Sequence, residues 1–362
     1  MFNNYYKDKK VFVTGHTGFK GSWLVLWLLA LGAIVKGYAL EPYTKDDHYV
    51  VLGLDSKIES VIADVRDLDS LKKEMADFQP DVVFHLAAQP LVRASYFEPV
   101  ATYATNVIGT VNVLDAVREC SSVKSFVNVT TDKCYENVEK TEGYKEDEPM
   151  GGYDPYSSSK GCSELVTAAY RRSFFFDKDV FIATARAGNV IGGGDWCKDR
   201  IMTDSINSLM QNEPIKIRNP QATRPWQHVL EPLSGYLLLA SQANAANKQA
   251  FAQGWNFGPD SIAVSTVGEV VDLVIEHWGS GSWQDVSNAA DLHEAKLLQL
   301  DITKAKTQLQ WLPVLNEADS IRYTVQWYKN YAAKKVNYYK FSLSQLKEYC
   351  NSAKIKNIEW AG

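Results

Sequence analysis

The sequence predicts an α/β fold: a doubly wound parallel sheet with a smaller C-terminal α/β domain. Three observations predict it. Short β-branched runs alternate with helical stretches through the first half of the chain, as in a parallel sheet covered on both faces. Strand segments such as Val82-Val83-Phe84 are uninterrupted apolar runs, which fits burial on both sides. Glycines spaced three apart, Gly15, Gly18 and Gly21, separate the first strand from the first helix.

Strands are expected at residues 11–14, 34–40, 61–63, 82–86, 125–130 and 180–186, with helices at 23–31, 70–78, 100–119 and 159–174. After Gly188 the texture changes. Gly192-Gly193-Gly194 and the Pro/Arg-rich stretch 219–227 read as loops shaped around something they hold. Further helices are expected at 230–242 and 267–276. The tail from Tyr331 carries six lysines against two glutamates, the mark of a solvated helix. Residues 1–188 are expected to form mainly the dinucleotide-binding domain. Residues 189–362 form mainly a substrate domain, with some segments returning to the first.

The chain has 362 residues, which at roughly 150 residues per domain suggests about two domains. A hydrophobic fraction of 46% and a charged fraction of 22% exclude disordered and disulfide-scaffold classes. Thirty-eight basic and 43 acidic residues leave a net charge of −5. That is not the basic surface of a duplex binder, so no nucleic-acid partner is expected. A small anionic ligand remains open, because it needs only local cations and backbone amides. Cys120, Cys134, Cys162, Cys197 and Cys350 include no Cys-x-x-Cys pair and no zinc-spaced cluster. No metal site and a reduced, cytoplasmic location are therefore expected. The first residues lack a signal-peptide shape. The longest apolar run, 23–31, is too short to span a bilayer, so no membrane partner is expected.

The loop Gly15-His16-Thr17-Gly18-Phe19-Lys20-Gly21 follows a strand and opens a helix. Gly15 permits the tight turn, Gly18 admits a pyrophosphate, and Gly21 allows close helix–strand packing. The anion would rest on helix N-terminal amides. This context favours a Rossmann dinucleotide site over an ordinary glycine-bearing turn. The acidic residue expected at the end of the second strand is missing: Ala39 holds its place and Glu41 comes two residues late. No neighbouring arginine favours a 2′-phosphate. Asp64 is either an acceptor for an adenine amino group or a strand-end turn residue.

Asp154-Pro155 is a helix-start signal, and Tyr156 and Lys160 then share one helix face. An ammonium beside a phenol is expected to lower its pKa from about 10 toward neutrality, making a base for an alcohol proton. A surface pair is the plain alternative. Upstream, the strand 125–130 ends in Thr131-Asp132-Lys133, at the carboxyl edge where open parallel sheets bind ligands. Asp132 alone could be a turn former; the conjunction carries the inference.

Together these residues resemble the extended short-chain dehydrogenase/reductase family. The match extends to His85-Leu86-Ala87-Ala88-Gln89, Asn106-Val107-Ile108-Gly109-Thr110 and Arg186-Ala187-Gly188-Asn189-Val190-Ile191-Gly192. It covers most of the chain. Thr131-Asp132-Lys133-Cys134-Tyr135-Glu136-Asn137, Gly192-Gly193-Gly194-Asp195-Trp196 and Thr223-Arg224-Pro225-Trp226-Gln227-His228-Val229 are similar to the family's branch of dehydratases acting on CDP-glucose.

The resemblance implies a Rossmann domain plus a nucleotide-sugar domain, NAD as cofactor, and CDP-glucose as substrate. It implies conversion to CDP-4-dehydro-6-deoxy-D-glucose and self-association as a homodimer or homotetramer. It places Gly15, His16, Thr17, Gly18, Phe19, Lys20, Gly21, Asp64, Val65, Leu86, Ala87, Ala88, Asn106, Tyr156 and Lys160 at the cofactor. Thr131, Asp132, Lys133, Tyr156 and Lys160 become catalytic. Tyr156 takes the 4-hydroxyl proton, Thr131 steadies that oxygen, and Asp132 in its acid form donates to the leaving 6-hydroxyl. The dTDP-glucose relatives carry a glutamate as C5 base where Lys133 stands. Lys133 is either that base, with a depressed pKa, or an electrostatic stabiliser of the enolate.

Arg200, Arg218 and Arg224 are candidates for the diphosphate, and Asn189 for the sugar-linked phosphate. Gln89 and Arg93 are placed at the hexose. Trp196 and Trp226 either stack on cytosine or pack beside it. His228 is set with the substrate residues in a packing or orienting role. A nucleotide-sugar 4-epimerase and another nucleotide-hexose dehydratase are the enzymatic rivals. A non-catalytic dinucleotide sensor is the rival of a different class, and the presence of both Tyr156 and Lys160 speaks against it.

Overall fold

The computed structural model describes residues 1–260, 265–288, 297–334 and 336–362. Its strands are β1 Lys10–Thr14, β2 Ile34–Ala39, β3 Glu59–Ile62, β4 Val82–His85, β5 Ser125–Val129 and β6 Phe181–Ala187. They are followed by β7 Val190–Ile191, β8 Ile215–Ile217, β9 Gln227–His228, β10 Gly254–Phe257 and β11 Trp283–Asp285. Seven of them form one parallel sheet in the order β10-β6-β5-β4-β1-β2-β3. The chain winds outward from β1 to β3, then restarts on the other side of β1 with β4. This reversal opens a crevice at the carboxyl ends of β1 and β4, where doubly wound sheets bind ligands.

Side chains alternate across the sheet. Val11 and Val13 join one apolar cluster, which includes Trp23 and Trp27 of the Phe19–Ala30 helix and Leu233 and Leu237 of the Leu230–Ser241 helix. Phe12 and Phe126 face the other cluster, with Leu71 and Met75 of the Leu68–Phe78 helix and Val113 and Val117 of the Gly109–Glu119 helix. Both sheet faces are thus covered, as the apolar strands require.

Six of the seven sheet strands match the sequence expectation. β10 was not expected, because Gly254-Trp255-Asn256-Phe257 has no β-branched residue. It is held by its pairing with β6 and by the full burial of Trp255 and Phe257.

Three further expectations change. The helix expected over 100–119 is divided into Pro99–Tyr103, a π-helical turn Ala104–Ile108 and Gly109–Glu119. Such turns are frequent at functional sites, and this one carries Asn106. Gly192-Gly193-Gly194 forms a packing joint: a Cβ on Gly193 would stand 2.0 Å from the Trp327 ring. The lysine-rich tail is helical over Tyr338–Ile355, but one face is buried through Ser342, Leu346, Tyr349 and Ala353. Tyr349 meets Trp27 edge-on at 5.7 Å. Lys340, Lys347 and Lys354 occupy the outer face, while Lys335 lies outside the described residues. Among the described residues, no helix is long and apolar enough to cross a membrane, and no cluster of His, Cys, Asp or Glu could hold a metal ion.

Candidate active site

The glycine loop joins β1 to the Phe19–Ala30 helix at the crevice. Gly15 has φ +76°, and a Cβ there would stand 2.7 Å from the Ala87 amide. A Cβ on Gly21 would stand 2.1 Å from the Gly15 carbonyl oxygen. Gly18, by contrast, is exposed and faces open space beyond that carbonyl. It is the N-cap of the helix and offers no side-chain cap, so the first-turn amides are free for an anion. The cradle therefore fits a dinucleotide pyrophosphate.

Around it, Thr14 Oγ1 accepts from the Leu86 and Ala87 amides, both at 3.2 Å, binding β1 to the end of β4. Thr17 donates to the Leu40 carbonyl. His16 contributes only backbone to the loop. Its ring is buried, bonded to Ser60 Oγ at 2.8 Å, and burial pushes its pKa down to about 4. Val65 is buried and its carbonyl accepts from Asn112. Asp64 accepts from the Arg66 amide and pairs with its guanidinium at 2.5 Å, the turn alternative. Asn106 accepts from the Gln89 amide at 2.8 Å and donates to Ser159 Oγ at 2.9 Å. It thereby pins the Leu86-Ala87-Ala88 edge to the catalytic helix.

That helix spans Pro155–Phe174. Asp154 caps it, accepting from the Ser157 amide and hydroxyl at 2.9 and 2.6 Å. Tyr156 and Lys160 are buried on one face. Thr131 lies close enough to the Tyr156 phenol to act on its ionisation and donates to Asp132 Oδ1 at 2.8 Å. Lys133 Nζ lies 3.7 Å from the same oxygen. Asp132 Oδ2 is buried and has no partner. The five residues expected from two distant segments are therefore brought together.

Their electrostatics differ from the expectation. Burial pushes the Tyr156 phenol up to about 12, with Asp132 and Asp154 adding to it and Thr131 and Arg200 opposing. Burial also pushes the Lys160 ammonium down to about 8, and it donates to the Val129 carbonyl at 3.3 Å. Lys160 thus loses its proton before the phenol does, and the expected drop of Tyr156 toward neutrality is absent. Desolvation outweighs the pair attraction here. Lys20 is pushed down to about 7 by burial and by the charges of Arg200, Lys160 and Lys133. Four basic side chains, those of Lys20, Lys133, Lys160 and Arg200, and the acidic Asp132 thus share the crevice. This local excess suits an anionic ligand despite the net charge of −5.

The substrate candidates divide. Arg200 pairs with Asp195 at 2.5 Å and reaches toward Tyr156. Arg93 and Arg218 share Asp199, at 3.5 and 3.0 Å. Arg224 donates to the Thr223 carbonyl. The Asn189 side-chain amide is buried without a partner, a donor that a ligand oxygen could satisfy. Gln89 is turned onto its own loop, donating to Leu91 O and Thr102 Oγ1. Trp196 donates to the Asp46 carbonyl and packs on Tyr328 and Tyr331, and Trp226 is buried; both fit the packing alternative. The His228 ring is fully buried between Trp23 and Tyr323, 5.9 and 5.6 Å away, a setting that suits a packing or orienting role.

Sequence reasoning missed Asp195, Asp199 and Glu164 as partners of these groups. Glu164 had a legible signal, its position four residues beyond Lys160 on the same helix. The two aspartates had none, because their pairing depends on loop folding.

The model of the GDP-mannose 4,6 dehydratase family matches residues 12–324. The chain is 49% identical over 331 residues to the CDP-glucose 4,6-dehydratase of Salmonella typhimurium, covering 90% of this chain and 92% of that one. Its fold is that of a dTDP-glucose 4,6-dehydratase from Streptomyces venezuelae solved with NAD (TM-score 0.76, 23% identity, 90% of this chain and 98% of that one). It is also that of a UDP-glucose 4-epimerase from Thermotoga maritima (TM-score 0.74, 23% identity, 89% and 99%). The chain belongs to the GDP-mannose 4,6 dehydratase family of extended short-chain dehydrogenases/reductases.

Proposed function

We propose that this protein is an NAD-dependent CDP-glucose 4,6-dehydratase, a lyase forming CDP-4-dehydro-6-deoxy-D-glucose and water in deoxysugar biosynthesis. The observation that carries the reading is the 49% identity, over 90% of the chain, to a CDP-glucose 4,6-dehydratase. The glycine cradle and Lys20 hold the pyrophosphate. When bound, NAD supplies the redox chemistry, accepting hydride from C4 and returning it to C6.

The chain's own groups move the protons. Tyr156 takes the proton of the sugar 4-hydroxyl, and Thr131 fixes that oxygen. The resulting ketone acidifies C5–H. Lys133 removes this proton, and Asp132 donates from Oδ2 to the departing 6-hydroxyl, which leaves as water. Lys133 then returns that proton to C5, and the proton held by Tyr156 replaces the one Asp132 gave up, so the protein's groups are reset and the turnover is redox-neutral. Arg200, Arg218, Arg224 and Asn189 bind the diphosphate, and Arg93 lies at the hexose. Residues 1–188 mainly serve the cofactor and 189–362 the nucleotide sugar. The enzyme works in the cytoplasm as a homodimer or homotetramer. Exposed Val100, Ile108 and Leu165 support association through these helices.

Incubation with CDP-, dTDP-, UDP- and GDP-hexoses plus NAD, read by product mass, tests the reading. Loss of water from CDP-glucose is expected; an unchanged mass with inverted C4 would establish the epimerase instead. In Lys133→Ala, exchange of the C5 hydrogen with solvent should fall sharply. Exchange at the normal rate would move the base role to another group.

A further inference from the structure

Tyr156, Lys160 and Glu164 stand four residues apart and form one stripe on the Pro155–Phe174 helix. The Glu164 carboxylate is buried. Its Oε2 accepts from Thr184 Oγ1 at 2.6 Å and from Arg186 at 2.8 Å. Its Oε1 accepts from the Thr130 hydroxyl. Arg186 in turn donates to the Tyr135 hydroxyl at 2.6 Å, and that hydroxyl donates to Asn256 Oδ1 at 2.8 Å. Thr130 immediately precedes the segment Thr131–Cys134, and Tyr135 immediately follows it. One carboxylate therefore grips both ends of the segment bearing Thr131, Asp132 and Lys133. It does so from the helix bearing Tyr156 and Lys160.

Burying an unpaired carboxylate would be strongly unfavourable. Here the Arg186 charge and the hydrogen bonds offset the desolvation and hold Glu164 below the usual carboxylate range. Lys160 is faced by Glu164 on its own helix, by Cys134 from the turn, by His85 from β4 and by Lys20 from the loop helix. Burial works against its proton, while Glu164 and Cys134 favour it.

We propose that Glu164 is a positioning residue of the catalytic centre: it sets the 131–133 turn against Tyr156 and keeps Lys160 charged. This rests on the assignment of Tyr156 and Lys160 to the chemistry. Glu164→Gln keeps the shape and removes the charge. Its kcat should fall about tenfold or more, because the acid and base groups lose their mutual placement. KM for CDP-glucose should change little, since Glu164 bonds Thr130, Thr184 and Arg186 rather than the diphosphate candidates Arg200, Arg218 and Arg224. With Lys160 titrating near 8 and Tyr156 near 12, the acid limb of the kcat–pH profile is set by Lys160 and should move down by about one unit. Amide hydrogen exchange across 130–135 should accelerate.

Exchange is read on the protein without substrate, so it judges the clamp even if no nucleotide hexose is turned over. That second result would overturn the functional reading alone. Should Glu164→Gln fail to fold, Thr130→Val removes one hydroxyl and leaves the ion pair. It should speed exchange and lower kcat while the acid limb stays in place. Unchanged exchange in both variants overturns the proposal. So does a Glu164→Gln enzyme whose acid limb does not move.

Discussion

Asp195 holds Arg200 at 2.5 Å, and this guanidinium lies within electrostatic reach of both Tyr156 and Lys20. Lys160 loses its proton near pH 8, whereas an arginine stays charged throughout. Arg200 is therefore the cation still present when the Tyr156 phenol ionises. The pair attraction that the Tyr–Lys spacing suggests is supplied in part from another loop.

Replacing Arg200 by leucine removes a charge that favours phenolate. The Tyr156 pKa should rise, so the alkaline limb of the kcat–pH profile, which Tyr156 sets, should move to higher pH. Arg200→Lys should keep much of the wild-type limb. A role confined to the diphosphate would instead raise KM and leave the limb in place. A pH–rate profile with both constants separates the two.

Gly21→Ala places a methyl group 2.1 Å from the Gly15 carbonyl oxygen. The loop must open, displacing the amides that would meet the pyrophosphate. NAD affinity should fall about tenfold or more, a loss of roughly 1.4 kcal/mol or greater. Calorimetric titration of NAD into the variant checks it, and an unchanged Kd would remove the loop from the cofactor site.

Burial holds His48, His85 and His228 down to about 3. In the unfolded chain each takes up a proton near pH 6.5. The unfolded state therefore binds more protons between about pH 3 and 6.5. The contribution of these histidines is fully present above pH 6.5 and is lost progressively as pH falls below it. Each should cost about 1.4 kcal/mol per pH unit in that window. Denaturant titrations at pH 7.5, 6.5 and 5.5 should show falling stability, and a flat series would contradict neutral burial.

The glycine loop, the apolar strands and the Asp154-Pro155 start were legible because each depends on local chemistry: a turn, a pleat, a cap. Tyr156 and Lys160 were legible for the same reason, since helical periodicity alone puts them on one face. Their ionisation was not. It depends on the water excluded by β5, the glycine loop and Arg200, none of which is near in sequence. His228 shows the limit from another side: its motif suggested a packing or orienting role, while the rings that enclose it, Trp23 and Tyr323, come from segments remote in sequence. β10 shows it for the fold, since Trp255 and Phe257 form a strand only because β6 offers an open edge.

The sequence by itself determined the doubly wound sheet, the dinucleotide loop and the shared helix face of Tyr156 and Lys160, because short-range sterics and hydrophobic periodicity encode them. Only the tertiary structure decided which charges face one another: Asp195 on Arg200, Asp199 between Arg93 and Arg218, and Glu164 bracketing the catalytic turn. Electrostatic strength depends on distance and burial, and both are set by segments that meet only once the chain has folded.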